Sequence, residues 1–316
     1  MNVLVTGSGG FIGSHLTERL VRDGHRVIAF VQYNSAGQIG WLTDLPEEVR
    51  SQVEVVIGDI RDSGRVQQAM SGIEVVFHLA ALIGIPYSYL SPHSYIDTNV
   101  IGTLNMLEAA RKENVELFVQ TSTSEVYGTS QYVPMDENHP LVGQSPYSAS
   151  KIAADQLAFS YYSSFNLPLV TLRPFNVFGP RQSSRAVIPT IIRQVLSGQS
   201  EIELGNLNAT RDMNYIDNTV DPFARLIRNS GAIGETINIG SGEERSIEGI
   251  AKHIFSLLNN DVRIKSSEAR IRPAKSEVER LVCDSSKAKK LLGWGNHTPQ
   301  YVTFEQGLKK SIDWVA

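Results

Sequence analysis

A glycine-rich turn directly follows the first apolar run of the chain, and it constrains the fold more than any other feature. Residues 2–5 form a strand-like run, residues 6–13 read Thr-Gly-Ser-Gly-Gly-Phe-Ile-Gly, and residues 14–22 have a helical pattern. Glycine allows a tight turn, close packing of helix on strand and close approach of a ligand to the backbone. The amino end of the helix adds N–H groups and a partial positive charge, which suit a diphosphate. The pattern predicts a dinucleotide-binding strand–turn–helix unit.

Short β-branched apolar runs alternate with helical segments through the first half of the chain. The runs predicted as strands are residues 3–5, 27–31, 53–57, 75–79, 117–120 and 169–174, and the helices are residues 14–22, 65–70 and 103–112. Continuous apolar strands are typical of parallel sheets covered by helices on both faces. We therefore expect an α/β fold whose first domain, residues 1–175, is a Rossmann-type doubly wound parallel sheet.

The second part of the chain, residues 176–316, has a less regular pattern. Pro174, Pro180 and Pro189 interrupt its beginning. Farther on, the pattern predicts helices at residues 219–228, 246–258 and 287–292 and a short strand at residues 236–239. We expect a smaller C-terminal mixed α/β lobe, from which some segments can return to the sheet.

Composition excludes several kinds of partner. The net charge is -4, whereas proteins that bind nucleic acid generally need a basic surface. Cys283 is the single cysteine, which excludes an internal disulfide and a cysteine-rich metal cluster, so we expect it to be a small apolar filler. No apolar stretch reaches the ~20 residues that cross a bilayer, and no basic, apolar leader precedes the first strand. We expect a cytoplasmic protein without nucleic-acid, membrane or metal partners.

The end of the second predicted strand bears on the type of dinucleotide. A carboxylate there would hydrogen-bond the adenosine ribose and favour NAD, but the strand ends in Gln32, Tyr33 and Asn34. Nothing there repels a 2′-phosphate, and no arginine is present to bind one strongly. Both cofactors remain open, and NADP is slightly favoured over NAD. Asp59, after the third strand, either contacts the adenine edge or is only a turn residue.

Tyr147 and Lys151 are the first candidates for chemistry. Four residues apart on a helix, they lie on one face, one turn from each other. A nearby ammonium stabilises a phenolate and lowers the pKa of the tyrosine, so the pair can deprotonate an alcohol while a hydride leaves its carbon. Residues 121–128 supply hydroxyl groups and Glu125 at the end of a strand, where folds of this class bind ligands.

In this order, the motifs resemble those of the extended short-chain dehydrogenases/reductases, the NAD-dependent epimerase/dehydratase family. The resemblance runs nearly end to end and includes residues 77–81, 98–103, 173–181, 211–217, 237–240 and 291–294. It implies that Tyr147 is the catalytic base, that Lys151 is its partner and a ligand of the nicotinamide ribose, and that Thr123 hydrogen-bonds the reacting sugar oxygen. The cofactor contacts that it implies are Gly7, Gly10, Phe11, Ile12, Gly13, Gln32, Asp59, Ile60, Leu79, Ala80, Ala81, Asn99, Ser122, Tyr147 and Lys151.

The resemblance also implies a nucleotide-diphosphate sugar as substrate and a homodimer. The substrate contacts expected from it are Tyr87, Asn176, Arg181, Val187, Arg211 and Arg272. Arginine suits a diphosphate because its planar donors bind bidentately. The dimer surface would be formed by the helices that follow Gly102 and Ser145, whose apolar residues are Leu104, Leu107, Ile152 and Leu157.

Glu125 distinguishes the reactions of the family. A 4-epimerase needs only oxidation and re-reduction at C4, whereas a 4,6-dehydratase also needs a base for the C5 proton and an acid for the C6 hydroxyl. Thr123-Ser124-Glu125 resembles the triplet of GDP-mannose 4,6-dehydratase, so Thr123, Ser124 and Glu125 join Tyr147 and Lys151 in the expected catalytic set. UDP-sugar 4-epimerase and UDP-glucuronate decarboxylase, which carries a similar stretch, remain alternatives.

The identity of the sugar follows from smaller similarities. An apolar wall at residues 85–87 could accommodate an N-acetyl group, and residues 33–35, 82–89 and 185–190 look similar to the NDP-N-acetylglucosamine 4,6-dehydratases of legionaminic-acid-type pathways. The nucleotide base (uracil, guanine or thymine) stays open. We expect NADP or NAD to be tightly bound and regenerated in each turnover. A role in binding alone is disfavoured because the catalytic tyrosine and lysine are both present.

Overall fold

The structure, a computed structural model, describes residues 1–260, 262–267 and 273–316. Its strands are β1 (Asn2–Thr6), β2 (Arg26–Gln32), β3 (Val53–Gly58), β4 (Val75–His78), β5 (Leu117–Thr121), β6 (Leu169–Pro174), β7 (Asn176–Phe178), β8 (Glu201–Leu204), β9 (Thr210–Tyr215), β10 (Thr236–Ile239), β11 (Glu244–Ser246) and β12 (Arg263–Ser266). Its helices are α1 (Phe11–Arg22), α2 (Glu47–Arg50), α3 (Ser63–Met70), α4 (Ile85–Leu90), α5 (Pro92–Tyr95), α6 (Gly102–Glu113), α7 (Pro146–Phe165), α8 (Val187–Leu196), α9 (Ile216–Leu226), α10 (Ile247–Leu257), α11 (Ser286–Leu292) and α12 (Phe304–Val315).

A seven-stranded parallel sheet forms the centre of the molecule. Its strand order is β10-β6-β5-β4-β1-β2-β3, and β1 pairs with β2 on one side and with β4 on the other. The chain therefore winds in one direction from β1 to β3 and in the other from β4 onward. In such sheets ligands bind at the carboxyl ends of the strands, next to the point where the order reverses. The predicted Rossmann-type doubly wound fold is confirmed.

The central strands are apolar because both faces of the sheet are covered. On β1, Val3 and Val5 pack into one hydrophobic core together with Leu16 of α1. Leu4, between them, points to the other face and packs in a second core with Phe118 of β5. This alternation along a continuous apolar run follows from the pleat of a strand, which sends successive side chains to opposite faces.

The C-terminal part of the chain is not a separate body. Strand β10 lies in the main sheet as the parallel neighbour of β6, so the expected return of a segment to the sheet does occur. The remaining strands form two small sheets, β11-β9-β7 and β12-β8. The sequence pattern does not predict helix α8, because Pro189 indicates an interruption of regular structure. Pro189 lies in the first turn of α8, where a missing N–H group leaves no hydrogen bond unmade.

The single cysteine lies in the interior. Cys283 is buried in a small apolar cluster with Tyr127, Met135 and Phe175, and its thiol is not in a disulfide. Burial raises the pKa of this thiol well above its usual value. Within the described ranges, none of the helices is both long and apolar enough to span a membrane.

Candidate active site

A cleft of about 930 Å³ lies at the carboxyl ends of the central strands. Most of the residues predicted to bind the cofactor line it, namely Gly7, Gly10, Phe11, Ile12, Gly13, Gln32, Asp59, Ile60, Leu79, Ala80, Ala81, Ser122, Tyr147 and Lys151. Thr123, Glu125 and Asn176 line it as well. The structure thus brings the glycine turn, the hydroxyl segment and the tyrosine–lysine pair to one place.

The glycine turn has the shape that a diphosphate requires. Gly7 has a φ of 70°, and the N–H group of Gly10 donates to the carbonyl oxygen of Gly7 at 2.9 Å. A Cβ atom on Gly13 would collide with that same carbonyl oxygen. Helix α1 begins at Phe11 without a side-chain cap, so its first N–H groups can point to a ligand. A dinucleotide pyrophosphate fits this turn.

Asp59 and Gln32 lie where the adenosine end would be. Both carboxylate oxygens of Asp59 accept hydrogen bonds from the guanidinium of Arg61, and the shortest of these distances is 2.6 Å. This pairing lowers the pKa of Asp59. The Asp59 carboxylate lines the cleft, but any contact with adenine would have to share it with Arg61.

The start of helix α7 fixes the position of Tyr147, the predicted catalytic base. Ser145 caps the helix: its hydroxyl accepts from the N–H of Ser148 at 3.1 Å, and the hydroxyl of Ser148 accepts from the N–H of Ser145 at 2.9 Å. Pro146 occupies the first helical position, where its fixed φ is already helical. Tyr147 follows at once, and Lys151 lies one turn farther along the same face. Both side chains are buried at the wall of the cleft.

Burial controls the protonation of the pair. It raises the pKa of Tyr147. The hydrogen bond with Thr123 opposes this rise, and the charge of Glu125 adds to it. Burial also lowers the pKa of Lys151, which the charge of Asp155 opposes. The ammonium of Lys151 donates to the carbonyl oxygen of Thr121 at 2.6 Å. The sequence predicts that Lys151 lowers the pKa of Tyr147. In the protein without a bound cofactor, burial raises this pKa instead.

A buried polar network supports this wall from behind, and sequence reasoning missed it. Asp155, one further turn along α7, accepts from the hydroxyl of Ser122 at 2.6 Å and from Arg173 at 3.1 Å. Arg173 also donates to the hydroxyl of Tyr127 at 3.0 Å, and Tyr127 donates to the side chain of Asn238 at 2.7 Å. The network ties α7 to β6, to β10 and to the segment that follows β5. Its signal in the sequence is the spacing of residues 147, 151 and 155, which places a carboxylate on the face of the catalytic pair.

Thr123 and Glu125 reach the cleft from a short 3-10 helix after β5, Ser124–Tyr127. Thr123 caps this helix, and its hydroxyl accepts from the N–H of Glu125 at 3.2 Å. Ser124, which was expected in the catalytic set, is buried and does not line the cleft. Thr123 precedes the helix in extended conformation, whereas Ser124 is its first residue and packs into the protein interior.

Comparison with known proteins places the chain in a family. The model of the GDP-mannose 4,6-dehydratase family matches residues 4–311. Over 318 residues the chain is 31% identical to a putative UDP-glucose 4-epimerase of Methanocaldococcus jannaschii, covering 99% of this chain and 98% of the relative. It is 32% identical to the dTDP-glucose 4,6-dehydratase of Xanthomonas campestris pv. campestris, covering 98% of this chain and 92% of that enzyme. The dTDP-glucose 4,6-dehydratase of Streptomyces venezuelae, solved with NAD bound, has a TM-score of 0.87 and 29% identity, covering 99% of this chain and 96% of that one.

The chain belongs to the GDP-mannose 4,6-dehydratase family. The resemblance to extended short-chain dehydrogenases/reductases inferred from its motifs is confirmed. The relatives are sugar-nucleotide dehydratases and epimerases, so the chain is an enzyme of this family that uses a nicotinamide dinucleotide.

Asn99, which the family resemblance placed at the cofactor, lies behind the cleft. Its amide group donates to the carbonyl oxygen of Leu82 at 2.9 Å and to the hydroxyl of Ser150 at 2.9 Å, and it accepts from the N–H of Leu82 at 2.8 Å. Leu82 lines the cleft and Ser150 is in α7. The side chain of Asn99 therefore joins two walls of the cleft, and its hydrogen bonds are made with Leu82 and Ser150.

A smaller share of the expected substrate contacts than of the expected cofactor contacts lines the cleft. Asn176 lines the cleft, but Tyr87, Arg181, Val187 and Arg211 are absent from its described lining. Tyr87 is half exposed on α4, and Val187 packs against the main hydrophobic core. Arg272 lies outside the described residues.

Arg181 and Arg211 are both directed to other partners. Arg181 has a φ of 64°, and its side chain donates to Glu18 of α1 at 2.8 Å. It lines a second cavity of about 500 Å³ instead of the cleft. Arg211 donates to the carbonyl oxygen of Thr210 at 2.8 Å and is ion-paired with Glu277 at 3.4 Å. A motif fixes which residue is present, but the backbone conformation decides where it points.

Proposed function

We propose that the enzyme is a nucleotide-sugar 4,6-dehydratase, a hydro-lyase that converts an NDP-hexose to the 4-keto-6-deoxy sugar. The observation that carries this proposal is the position of Glu125, which lines the cleft beside Thr123, the cap of its short helix, and acts electrostatically on Tyr147. A carboxylate at this position is needed for elimination of water, whereas a 4-epimerase has no use for it.

The residues divide the proton transfers between them. Tyr147, as phenolate, takes the proton of the C4 hydroxyl, and Thr123 hydrogen-bonds the oxygen while it becomes a ketone. The ketone acidifies the proton at C5, and Glu125 removes it and passes it to the C6 hydroxyl, which leaves as water. A bound nicotinamide would supply the redox chemistry, as acceptor of the hydride from C4 and donor of a hydride to C6. The proton that Tyr147 took from the C4 hydroxyl would then return to C5 and complete the 4-keto-6-deoxy product. No net oxidation results, so we expect turnover without added cofactor.

Burial raises the pKa of Tyr147 and lowers the pKa of Lys151, so it works against the charged form of both groups in the protein alone. A positive charge nearby would favour the phenolate. The family places the nicotinamide ribose at Lys151, so we propose that loading of the oxidised cofactor activates Tyr147.

We propose an N-acetylated hexose as the sugar. Ile83, Ile85 and Pro86 line the cleft, and Ile85 packs with Tyr147 in one apolar cluster. An acetyl methyl group has a favourable environment against such a wall. The sequence predicts Tyr87 as part of the same apolar wall, but Tyr87 does not line the cleft. The wall is therefore shorter than expected.

We propose NADP in preference to NAD, and a homodimer as the assembly. The end of β2 places Gln32, Tyr33 and Asn34 at the cleft, and none of these side chains would repel a 2′-phosphate. The relative from Streptomyces venezuelae was solved with NAD, so extraction and identification of the dinucleotide that co-purifies is the direct test.

The decisive experiment replaces Glu125 with glutamine. Glu125→Gln keeps the shape and the hydrogen bonding of the side chain but cannot accept the C5 proton. Oxidation at C4 should survive, and elimination of water should fall by about 10² to 10⁴, the scale for a positioned general base. The variant should accumulate absorbance of reduced nicotinamide and a 4-keto sugar with little solvent deuterium at C5. Tyr147→Phe is the contrasting variant and should give neither species.

The substrate panel should contain UDP-, GDP- and dTDP-sugars, with loss of one water followed by mass spectrometry. Wild-type-like water loss by the Glu125→Gln variant would show that another group is the base. Interconversion at C4 without loss of water would instead identify an epimerase, and carbon dioxide released from a uronic acid would identify a decarboxylase.

A further inference from the structure

The segment that follows β2, residues 33–45, lies directly across the glycine turn. The N–H group of Trp41 donates to the carbonyl oxygen of Gly9 at 3.0 Å. A Cβ atom on Gly9 would lie 2.7 Å from the carbonyl oxygen of Ile39, and one on Gly40 would collide with the carbonyl of Gly9. The two backbones therefore meet without side chains between them, and this explains glycine at both positions.

The inner side of the segment belongs to the cleft. Tyr33, Asn34, Gln38 and Gly40 line it together with the glycine turn. The segment is also closed on itself, because the side chain of Asn34 donates to the carbonyl oxygen of Gln38 at 2.6 Å and accepts from its N–H at 3.0 Å. A dinucleotide seated on the turn would thus have this closed segment at its adenosine side.

The outer side of the segment rests on the C-terminal helix. The indole rings of Trp41 and Trp314 of α12 meet edge to face, with ring centroids 6.1 Å apart and an interplanar angle of 70°. Trp314 is 44% exposed although it is the largest type of apolar side chain. Leu42 and Leu45 anchor the end of the segment in the main core. The tryptophan pair joins the segment to an element from the other end of the chain.

We propose that residues 33–45 form a clasp that retains the dinucleotide, and that Trp314 is the positioning residue that holds the clasp against the glycine turn. The C-terminal helix would then set how long the cofactor stays bound between turnovers. Retention matters for an enzyme that regenerates its cofactor within one turnover. The inference rests on dinucleotide binding by the family and not on the choice between dehydratase and epimerase.

The test measures release of the dinucleotide from the full-length chain in the absence of any sugar. Protein loaded with NADP⁺ or with NAD⁺ is diluted into an excess of competing labelled dinucleotide, and exchange is followed by rapid filtration. Release from Trp314→Ala should be about threefold to tenfold faster than from wild type, the change expected for the loss of one aromatic pair. Trp314→Phe keeps an aromatic edge and should restore most of the retention.

Two further variants make the test specific. Trp41→Ala should accelerate release as much as Trp314→Ala, and the double variant should add little, because both remove the same contact. Tyr132→Ala is the matched control: Tyr132 is also 44% exposed and also packs on a neighbouring ring, but that ring is His139 and not part of residues 33–45. Thermal unfolding of the cofactor-free variants checks that each is folded.

Unchanged release from Trp314→Ala in a folded protein would overturn the proposal, as would equal acceleration by Tyr132→Ala. Neither result would bear on the proposed reaction, which is judged from the products of the wild-type enzyme. Conversely, an epimerase activity would overturn the proposed function and leave the clasp untouched.

Discussion

Two carboxylates near Tyr147 and Lys151, those of Glu125 and Asp155, lie in different surroundings. Glu125 lines the cleft, where it can meet a substrate. Asp155 is buried, and one of its oxygens accepts hydrogen bonds from Ser122 and Arg173. These donors hold the Asp155 carboxylate away from the cleft, and its charge opposes the lowering of the pKa of Lys151 by burial.

Replacement of Asp155 by asparagine should destabilise the fold strongly. Asp155→Asn leaves the guanidinium of Arg173 buried without its counter-ion, which typically costs about 3 to 5 kcal/mol. Urea unfolding at neutral pH measures this loss. Asp23→Asn, which breaks the largely exposed pair with Arg19, is the control and should cost less than about 1 kcal/mol. Equal effects of the two changes would mean that the buried pair is not a structural requirement.

At the level of single residues, the sequence was sufficient for the placement of Tyr147 and Lys151 and insufficient for the placement of the arginines. The interval between Tyr147 and Lys151 determines their common face once a helix is assumed, and a helical start is visible in Ser145-Pro146. The direction of Arg181 depends on a positive φ that a non-glycine residue adopts only rarely, so no pattern announces it. Asp155 could have been found, because it continues the spacing of the pair by one more turn.

The glycine turn is an element whose shape depends on the missing side chain of Gly13. In Gly13→Ala the methyl group would collide with the carbonyl oxygen of Gly7, so the turn would have to open where the diphosphate binds. Affinity for the dinucleotide, measured by isothermal titration, should fall at least about tenfold. Gly64→Ala is the control, because Gly64 lies in α3 and a methyl group there would make only ordinary contact with Asp62. Unaltered binding by Gly13→Ala would show that the turn adapts.

At the level of elements, strands and helices with a regular sequence pattern could be predicted. Short or interrupted strands and helices could not. The first six strands of the central sheet were located because each is an apolar run between turn signals. Helix α8 was missed because a proline in a first turn looks the same in sequence as a proline that ends a helix. Strands β7, β8 and β9 are too short, or too polar, to show a period, and only pairing in the folded chain defines them.

The junction between the two parts of the molecule should respond to acid through His15. His15 of α1 hydrogen-bonds the carbonyl oxygen of Pro180 at 3.0 Å, and burial together with the charge of Arg181 lowers its pKa to about 4. The unfolded chain, with an ordinary histidine pKa near 6.5, binds more protons between these values. Stability from this group is therefore complete above about pH 6.5 and is lost as the pH falls toward about 4.

His15→Gln removes this titration but keeps a donor for Pro180. Between pH 7 and pH 4 the free energy of unfolding of wild type should fall relative to the variant by on the order of 3 kcal/mol. Urea unfolding at both pH values gives the comparison, with the difference at pH 7 as the baseline. A difference that stays constant with pH would contradict the assignment.

Assembly is the other property of the whole molecule that can be measured directly. Leu107 is fully buried in the chain's own core, and Leu104 and Leu157 pack against that core, so these residues are not surplus apolar surface as expected. The exposed apolar side chains on α7 are Phe159 and Phe165, which are 55% and 50% exposed. We expect light scattering at micromolar concentration to give the mass of two chains. The mass of one chain would refute the homodimer.

The position of β10 in the main sheet has a consequence for the synthesis and the modularity of the protein. When the ribosome has made β6, the neighbour of that strand has not yet been translated, so the edge of the sheet stays unpaired until Thr236–Ile239 emerges. Asn238, which accepts from Tyr127, arrives with it and completes the network behind the catalytic wall. A chimera joined at residue 175 would therefore exchange one strand of the main sheet along with the rest of residues 176–316.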